Sequence, residues 1–334
     1  MRCLRRHICL LLLLVAAMAH TEARPRIGLV LSGGGAKGAA EIGALKVIER
    51  YGIPIDCIAG TSIGSIVGSL YAAGYRTDEL EPLFTNQEWI SLLTDWRSDL
   101  ADKVFAEADS LTYIFGFPFL NDPTIGLFRG RRIHEMLDSM FCQRGCRYFD
   151  QLPTPFCCVG ARFWSAEEKV LNEGVVADAV RSSIAIPLLL KPGIVDETRL
   201  VDGGMMNNLP IDVVRQQMQA DILIVIDLTQ QKPRTVSEDN IWRVIRNLGA
   251  SVLDFFIGSN IISWVLHRPD NQKYLDNLHS LGPNDIYINP RLDGFGLFSF
   301  DNDMMTEMIS QGEKAARRNV TKLLRLRLQL LPYI

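Results

Sequence analysis

Histidine is scarce in this sequence, with five in 334 residues. Three of them, His134, His267 and His279, lie beyond residue 23, and none stands in a glycine-rich turn or at the end of an apolar strand run. A base held at a sheet edge is therefore better sought among the carboxylates. No histidine lies at ligand spacing from a cysteine either, so the common zinc motifs are absent and no metal site is expected. A basic excess is missing too. Lys plus Arg number 35 against 38 Asp plus Glu, a formal charge of −3, which argues against a nucleic-acid partner. Internal repeats and low-complexity linkers are absent between residues 25 and 317, so one domain is expected there.

Cysteine is sparse enough to read one by one. Beyond residue 23 stand Cys57, Cys142, Cys146, Cys157 and Cys158, an odd set that leaves at least one thiol unpaired. Cys142 and Cys146 are close enough to bridge across a turn in an oxidising compartment, while buried thiols packing as small hydrophobes are the plainer alternative. The first residues differ from the rest. Arg2, Arg5 and Arg6 precede an apolar run over 8–18, and Ala17-Met18-Ala19 supplies small residues at a cleavage site. That is the form of a secretory signal, over residues 1–23, and the run is too short to span a bilayer. Export to the periplasm, the outer-membrane periphery or the medium is the expected address.

The most informative stretch is Gly60-Thr61-Ser62-Ile63-Gly64, where the apolar run of Cys57, Ile58 and Ala59 stops and a small-residue helix begins. A serine between two glycines at that junction has the form of a nucleophile elbow. The turn pushes the hydroxyl out of the sheet, and only hydrogen side chains at Gly60 and Gly64 leave room for it. The helix start supplies unpaired N–H groups beside an oxygen that must become anionic. One strand–helix unit earlier, residues 26–31 run into Gly33-Gly34-Gly35-Ala36-Lys37-Gly38 and then a helix over 39–51. A P-loop fails there, because neither Lys-Ser nor Lys-Thr follows the last glycine. A dinucleotide fingerprint fits Gly33, Gly35 and Gly38, but Asp56 opens its strand where the ribose-binding acid should close one. An oxyanion hole, with the N–H groups of Gly33, Gly34 and Gly35 aimed at a developing charge, is the third reading. Ser62 decides for it, since adjacent strand–helix turns of a parallel sheet lie side by side at the carboxyl edge.

The base is read at Asp202, which ends a strand and is followed by Gly203 and Gly204, so the chain turns sharply at the same sheet edge. A partly buried carboxylate with a raised pKa can deprotonate a hydroxyl directly. Elsewhere, residues 78–96 read as helical, 156–162 and 222–228 as buried strands, 177–183 as a helix, and a further helix starts at Ile211. Residues 111–128, rich in Phe with Gly and Pro breaks, read as a lid or dimer contact, and 242–266 as a long apolar helix. Arg129, Arg131 and Arg132 read as a solvated helix start. Residues 324–330 alternate Leu with polar residues, a strand period inside a helical stretch.

Taken together, the glycine turn, the elbow, Asp202-Gly203-Gly204, Arg181-Ser182-Ser183-Ile184-Ala185-Ile186-Pro187 and Asn207-Asn208-Leu209-Pro210 resemble the patatin-like phospholipase family, in its bacterial secreted type, in motif, order and spacing. The resemblance implies a three-layer α/β/α fold with a mostly parallel central sheet over residues 24–320, leaving 321–334 as a tail. It implies a Ser62–Asp202 dyad without histidine, an oxyanion hole to which the Ile63 N–H contributes, and a basic position at Lys37. It further implies hydrolysis of fatty-acyl esters of phospholipids at a membrane surface, with no cofactor; a homodimer is a further expectation. Glu41 stands where many bacterial members carry histidine, and it is expected to be tolerated in its helix. Some secreted relatives carry a further module and an outer-membrane barrel, for which this sequence leaves no room, so membrane anchorage is not carried over. A general carboxylesterase and a non-catalytic lipid-binding protein of the same fold are the rival readings.

Overall fold

The structure, a computed structural model, describes residues 23–95, 126–229 and 271–333. All but the last residue of the leader read at 1–23, most of the aromatic segment 111–128 and the apolar helix read at 242–266 lie outside the described residues. The strands are β1 (Ile27–Leu31), β2 (Cys57–Thr61), β3 (Gly126–Phe128), β4 (Phe156–Arg162), β5 (Glu168–Leu171), β6 (Leu188–Leu190), β7 (Gly193–Val195), β8 (Thr198–Asp202), β9 (Ile222–Ile226) and β10 (Ile286–Ile288). The helices are α1 (Ala39–Arg50), α2 (Ile63–Ala72), α3 (Thr77–Thr85), α4 (Trp89–Thr94), α5 (Arg131–Gln143), α6 (Val176–Ser183), α7 (Asn271–His279), α8 (Asn302–Arg317) and α9 (Val320–Leu330).

The main sheet runs β10-β9-β1-β2-β4-β8-β7, with β5 also on β4. From β10 to β4 every neighbour is parallel, whereas β5, β8 and β7 pair antiparallel. β3 and β6 form a small parallel pair of their own. The sheet is covered on both faces because its strands are apolar on both. Ile27, Leu29 and Leu31 of β1 join one core with α1, α2 and α8, and Val30 joins another with Val213, Val214 and Leu209. The same alternation splits Ile222, Ile224 and Ile226 from Leu223 and Val225 in β9. Strand side chains alternate faces, so a run without polar interruption must be buried twice. Three layers follow.

Local departures from the sequence reading have packing causes. Residues 78–96 make two helices, α3 and α4, separated at Asn86–Glu88. The helix expected from Ile211 is present, but from Val213 to Gln217 it is wound as a π-helix. The alternating tail is helical: Leu323, Leu326 and Leu330 are buried at i, i+3 and i+7, and Leu324 and Leu328 face solvent. A helical stripe outweighs the two-residue period there. Cys142 and Cys146 are not bridged; Cys146 is buried, its thiol directed at the Phe141 carbonyl, and Cys142 is exposed. Cys57, Cys157 and Cys158 pack as buried thiols. Among the described residues no helix is long and apolar enough to cross a membrane.

Glu41, in the first turn of α1, is fully buried and neither carboxyl oxygen has a hydrogen-bond partner. Burial, reinforced by the nearby Asp227, pushes its pKa well above the ordinary 4.5. Asp227 accepts hydrogen bonds from Thr229 N–H, Tyr274 OH and Tyr287 OH, and its charge acts on Glu41 as a repulsion. The folded chain thus holds a proton that the unfolded chain releases above 4.5, and stability contributed by the neutral carboxyl is lost as pH rises towards the folded value. Glu41→Gln removes that loss. Its thermal midpoint should exceed that of the parent by more at pH 8 than at pH 5, and an equal difference at both would contradict a buried neutral Glu41.

Candidate active site

Ser62 sits between the end of β2 and the first residue of α2 with φ 53° and ψ −124°, a left-handed conformation for a residue with a side chain. Such a backbone costs about 1–3 kcal/mol and persists only where its surroundings fix it. A Cβ at Gly60 would lie 2.2 Å from the Gly64 carbonyl oxygen, and one at Gly64 would lie 2.6 Å from that of Leu31. Both flanking glycines are therefore steric requirements of the turn, as the sequence spacing indicated.

The Ser62 hydroxyl donates to Asp202 Oδ2 at 2.6 Å. The other carboxylate oxygen, Oδ1, accepts the Gly204 N–H at 2.7 Å, which is what the glycines after Asp202 make possible. Asp202 arrives by a route that the sequence did not show. Its strand is antiparallel, and it reaches the elbow because β4 runs three positions beyond the end of β2. Thr61 pairs with Val159, and β8 occupies the overhang, with Gly160 opposite Asp202, Ala161 opposite Val201 and Arg162 opposite Leu200. The register places Asp202 one step past Thr61, level with Ser62.

Asp202 is 7% exposed. Burial raises its pKa to about 6 against the pull of its bonds from Ser62 and Gly204, both of which favour the charged form. Among the described residues no histidine bonds to either group. His134 pairs instead with Asp178 at 2.6 Å, which raises its pKa. His279 closes α7, and His267 lies outside the described residues.

The glycine turn lies beside the elbow, as the parallel pairing of β1 and β2 requires. One expected donor is already engaged, since the Gly33 N–H donates to the Asn208 carbonyl at 3.1 Å. The N–H groups of Gly34, Gly35 and Ile63 have no acceptor among the described residues and stand at the starts of the 3₁₀ turn Gly35–Gly38 and of α2. Lys37 and Gly38 lie within that 3₁₀ turn. Gly203 opens the short turn Gly203–Met205 and packs its backbone on Val159. Asp56, the alternative ribose acid, accepts Ile27 N–H and the Arg24 guanidinium, and so fixes the start of β1.

Several residues frame the site that sequence reasoning had quoted without a role. Ser183 at the end of α6 accepts the Ser62 N–H at 3.0 Å and donates to the Val159 carbonyl at 2.6 Å. The Ala185 carbonyl accepts the Asp202 N–H at 2.9 Å. Thr61 Oγ1 donates to the Asn207 carbonyl at 2.8 Å, and Asn208 Nδ2 to that of Gly33 at 3.3 Å. Arg181, buried, spans the Arg129 and Lys191 carbonyls and ties β3 and β6 into place; burial lowers its pKa to about 10. The signal for these was present in the two motifs that contain them, but nothing in a motif says which partner each finds. The basic turn is solvated, as expected, at Arg129 and Arg131, which are exposed and of which Arg131 pairs with the likewise exposed Glu135; Arg132 is half-buried, its backbone N–H donating to Asp95 and its guanidinium to Ser91.

An apolar pocket adjoins Ser62, lined by Ile63, Ile66, Trp89, Leu190, Leu297 and Phe300 among others. Its cavity is about 30 Å³, room for a water and far less than an acyl chain needs. A larger cleft of about 800 Å³ lies at the opposite, amino end of the strands, around Arg26, Tyr148, Pro155 and Gln217, away from the Ser62–Asp202 pair.

Comparison with known proteins agrees with this frame. The patatin-like phospholipase model matches residues 29–215. Lysophospholipase nte1 of Aspergillus fumigatus is 27% identical over 283 residues, covering 82% of this chain and 17% of that protein. An NTE family protein of Mycobacterium bovis is 30% identical over 242 residues, covering 70% of this chain and 60% of that one. Among solved structures, VipD from Legionella pneumophila aligns over 90% of this chain and 67% of its own, at 13% identity and a TM-score of 0.46. The chain thus spans only a part of the length of these curated relatives. With its mostly parallel central sheet, serine elbow and glycine turn, the chain belongs to the patatin-like phospholipase family.

Proposed function

We propose that the protein is a serine lipid hydrolase that cleaves fatty-acyl esters of phospholipids. The observation that carries this reading is the 2.6 Å bond from the Ser62 hydroxyl to a buried carboxylate, beside amides that have no acceptor among the described residues. Ser62 Oγ attacks the acyl carbonyl carbon as its proton passes to Asp202 Oδ2. The carbonyl oxygen becomes anionic, and the N–H groups of Gly34, Gly35 and Ile63 are placed to stabilise it, each donor contributing about 2.7–4 kcal/mol in comparable sites. Collapse expels the alcohol, which takes the proton from Asp202 and leaves Ser62 acylated. Water attacks the acyl-enzyme in the same way, with Asp202 again as base, and releases the fatty acid. The matched family and the lysophospholipase name of the fungal relative support the substrate class.

For export we propose that residues 1–23 are removed as a leader, which an intact mass of the exported chain checks; retention of the full N-terminus would oppose it.

Ester hydrolysis tests the dyad. Ser62→Ala and Asp202→Asn should each lower kcat/KM by roughly 10³-fold or more, and turnover equal to the parent in both would remove the mechanism. Because the base must be ionised, kcat/KM should rise with pH through a single limb centred near the Asp202 value of about 6. A profile flat from pH 5 to 8 would contradict Asp202 as base. The strained elbow predicts a separate stability effect: Ser62→Gly should melt higher than Ser62→Ala, because glycine tolerates φ 53°.

A further inference from the structure

The pocket beside Ser62 is roofed by the turn 293–300, between β10 and α8. Among the described residues this turn makes one hydrogen bond to another element, from the Ala36 N–H to the Leu297 carbonyl at 2.9 Å. It lies flat on the glycine turn: a Cβ at Gly35 would stand 2.4 Å from the Leu297 oxygen. Its ends are held by apolar contacts, with Phe300 stacked on Trp89 at 5.9 Å and Phe295 packed on the core. Between those anchors the tip turns two large apolar side chains outward. Leu297 is 50% and Phe298 53% exposed. Met304 in the first turn of α8, and Ile90 next to Trp89 in sequence, are likewise 45% and 48% exposed.

Isolated exposed hydrophobics need no explanation, but a pair at the tip of the loop that closes a lipid hydrolase pocket does. The charges around it narrow the partner. Along the chain, Asp293, Asp301 and Asp303 are exposed on either side of the tip, against one exposed cation, Arg291, and from residue 292 to 313 the sequence holds no Lys or Arg, so the flanks are net acidic. An anionic membrane would be repelled by this rim, and a zwitterionic one would not.

We infer that the Leu297–Phe298 tip is the surface by which the protein docks on a neutral, zwitterionic lipid surface, bringing the mouth of the Ser62 pocket against its substrate. The inference rests on the lipid-hydrolase reading above, and it gives the tip a role distinct from chemistry. Insertion of the two side chains removes their apolar area from water, and docking at that point puts the loop that closes the pocket in contact with lipid.

Flotation with phosphatidylcholine vesicles tests this, using the full chain carrying Ser62→Ala so that no lipid is consumed. The chain should float with the vesicles, and replacing a quarter of the lipid by phosphatidylglycerol should reduce the bound fraction. Adding Leu297→Asp and Phe298→Asp should lower binding roughly tenfold or more. Trp164→Asp, at a side chain that is 71% exposed in the β4–β5 turn, should leave binding unchanged. If the double aspartate variant lost its thermal transition, Leu297→Ser with Phe298→Ser would replace it, with the same expected direction. Flotation of the tip variant equal to that of its parent, stronger binding to anionic vesicles, or no binding at all would overturn the inference. The parent chain's hydrolysis of a water-soluble ester reports separately on the catalytic reading: hydrolysis without flotation sinks the surface alone, and flotation without hydrolysis sinks the chemistry alone.

Discussion

The site depends on one short hydrogen bond between groups 140 positions apart, from the Ser62 hydroxyl to Asp202. That bond exists because β4 outruns β2. The parallel half of the sheet delivers the elbow at its carboxyl edge, and the antiparallel half folds back along the overhang to deliver the carboxylate at the same level. A shift of one position in the β4–β8 register would turn Asp202 to the other face of the sheet, since strand side chains alternate. The long central strand therefore acts as the ruler for the site.

Opposed influences then set the carboxylate. Burial favours its neutral form, and the donors from Ser62 and Gly204 favour its charged form, with burial prevailing enough to bring it to about 6. Without the two donors burial would raise it further; in open solvent it would be a much weaker base. The proposed mechanism needs no imidazole, because the carboxylate touches the hydroxyl directly. The strained backbone at Ser62 is held by groups that do no chemistry: Ser183 binds its amide, and Thr61 is tied to Asn207. The Asn207–Asn208 pair also holds the glycine turn through Gly33, so the elbow and the glycine turn share one frame.

How much of this could be read in the sequence follows from where each constraint acts. The elbow was legible because a steric demand within five residues leaves glycine at fixed offsets from Ser62. The buried strands β1 and β9, and β4 up to Ala161, were legible because burial on both faces leaves no polar residue in them. Asp202 was legible as a strand-end acid before two glycines, but its antiparallel approach was not, since register over long separations writes nothing into local spacing. That the Gly33 N–H is already engaged was not legible, because its long-range bond to Asn208 has no local signature. The tail was ambiguous because Leu324 to Leu330 alternates, and only packing of Leu323, Leu326 and Leu330 selects the helix. Glu41 gave no sign of its burial, since a carboxylate in a first helical turn ordinarily faces water.

The most direct test of the account is to react the protein with a fluorophosphonate and locate the adduct by peptide mass spectrometry. The account predicts one adduct, on Ser62, forming faster as pH rises through the ionisation of Asp202 and lost in Asp202→Asn. An adduct on another serine, or one that forms on Ser62 at the same rate when Asp202 is replaced, would contradict it.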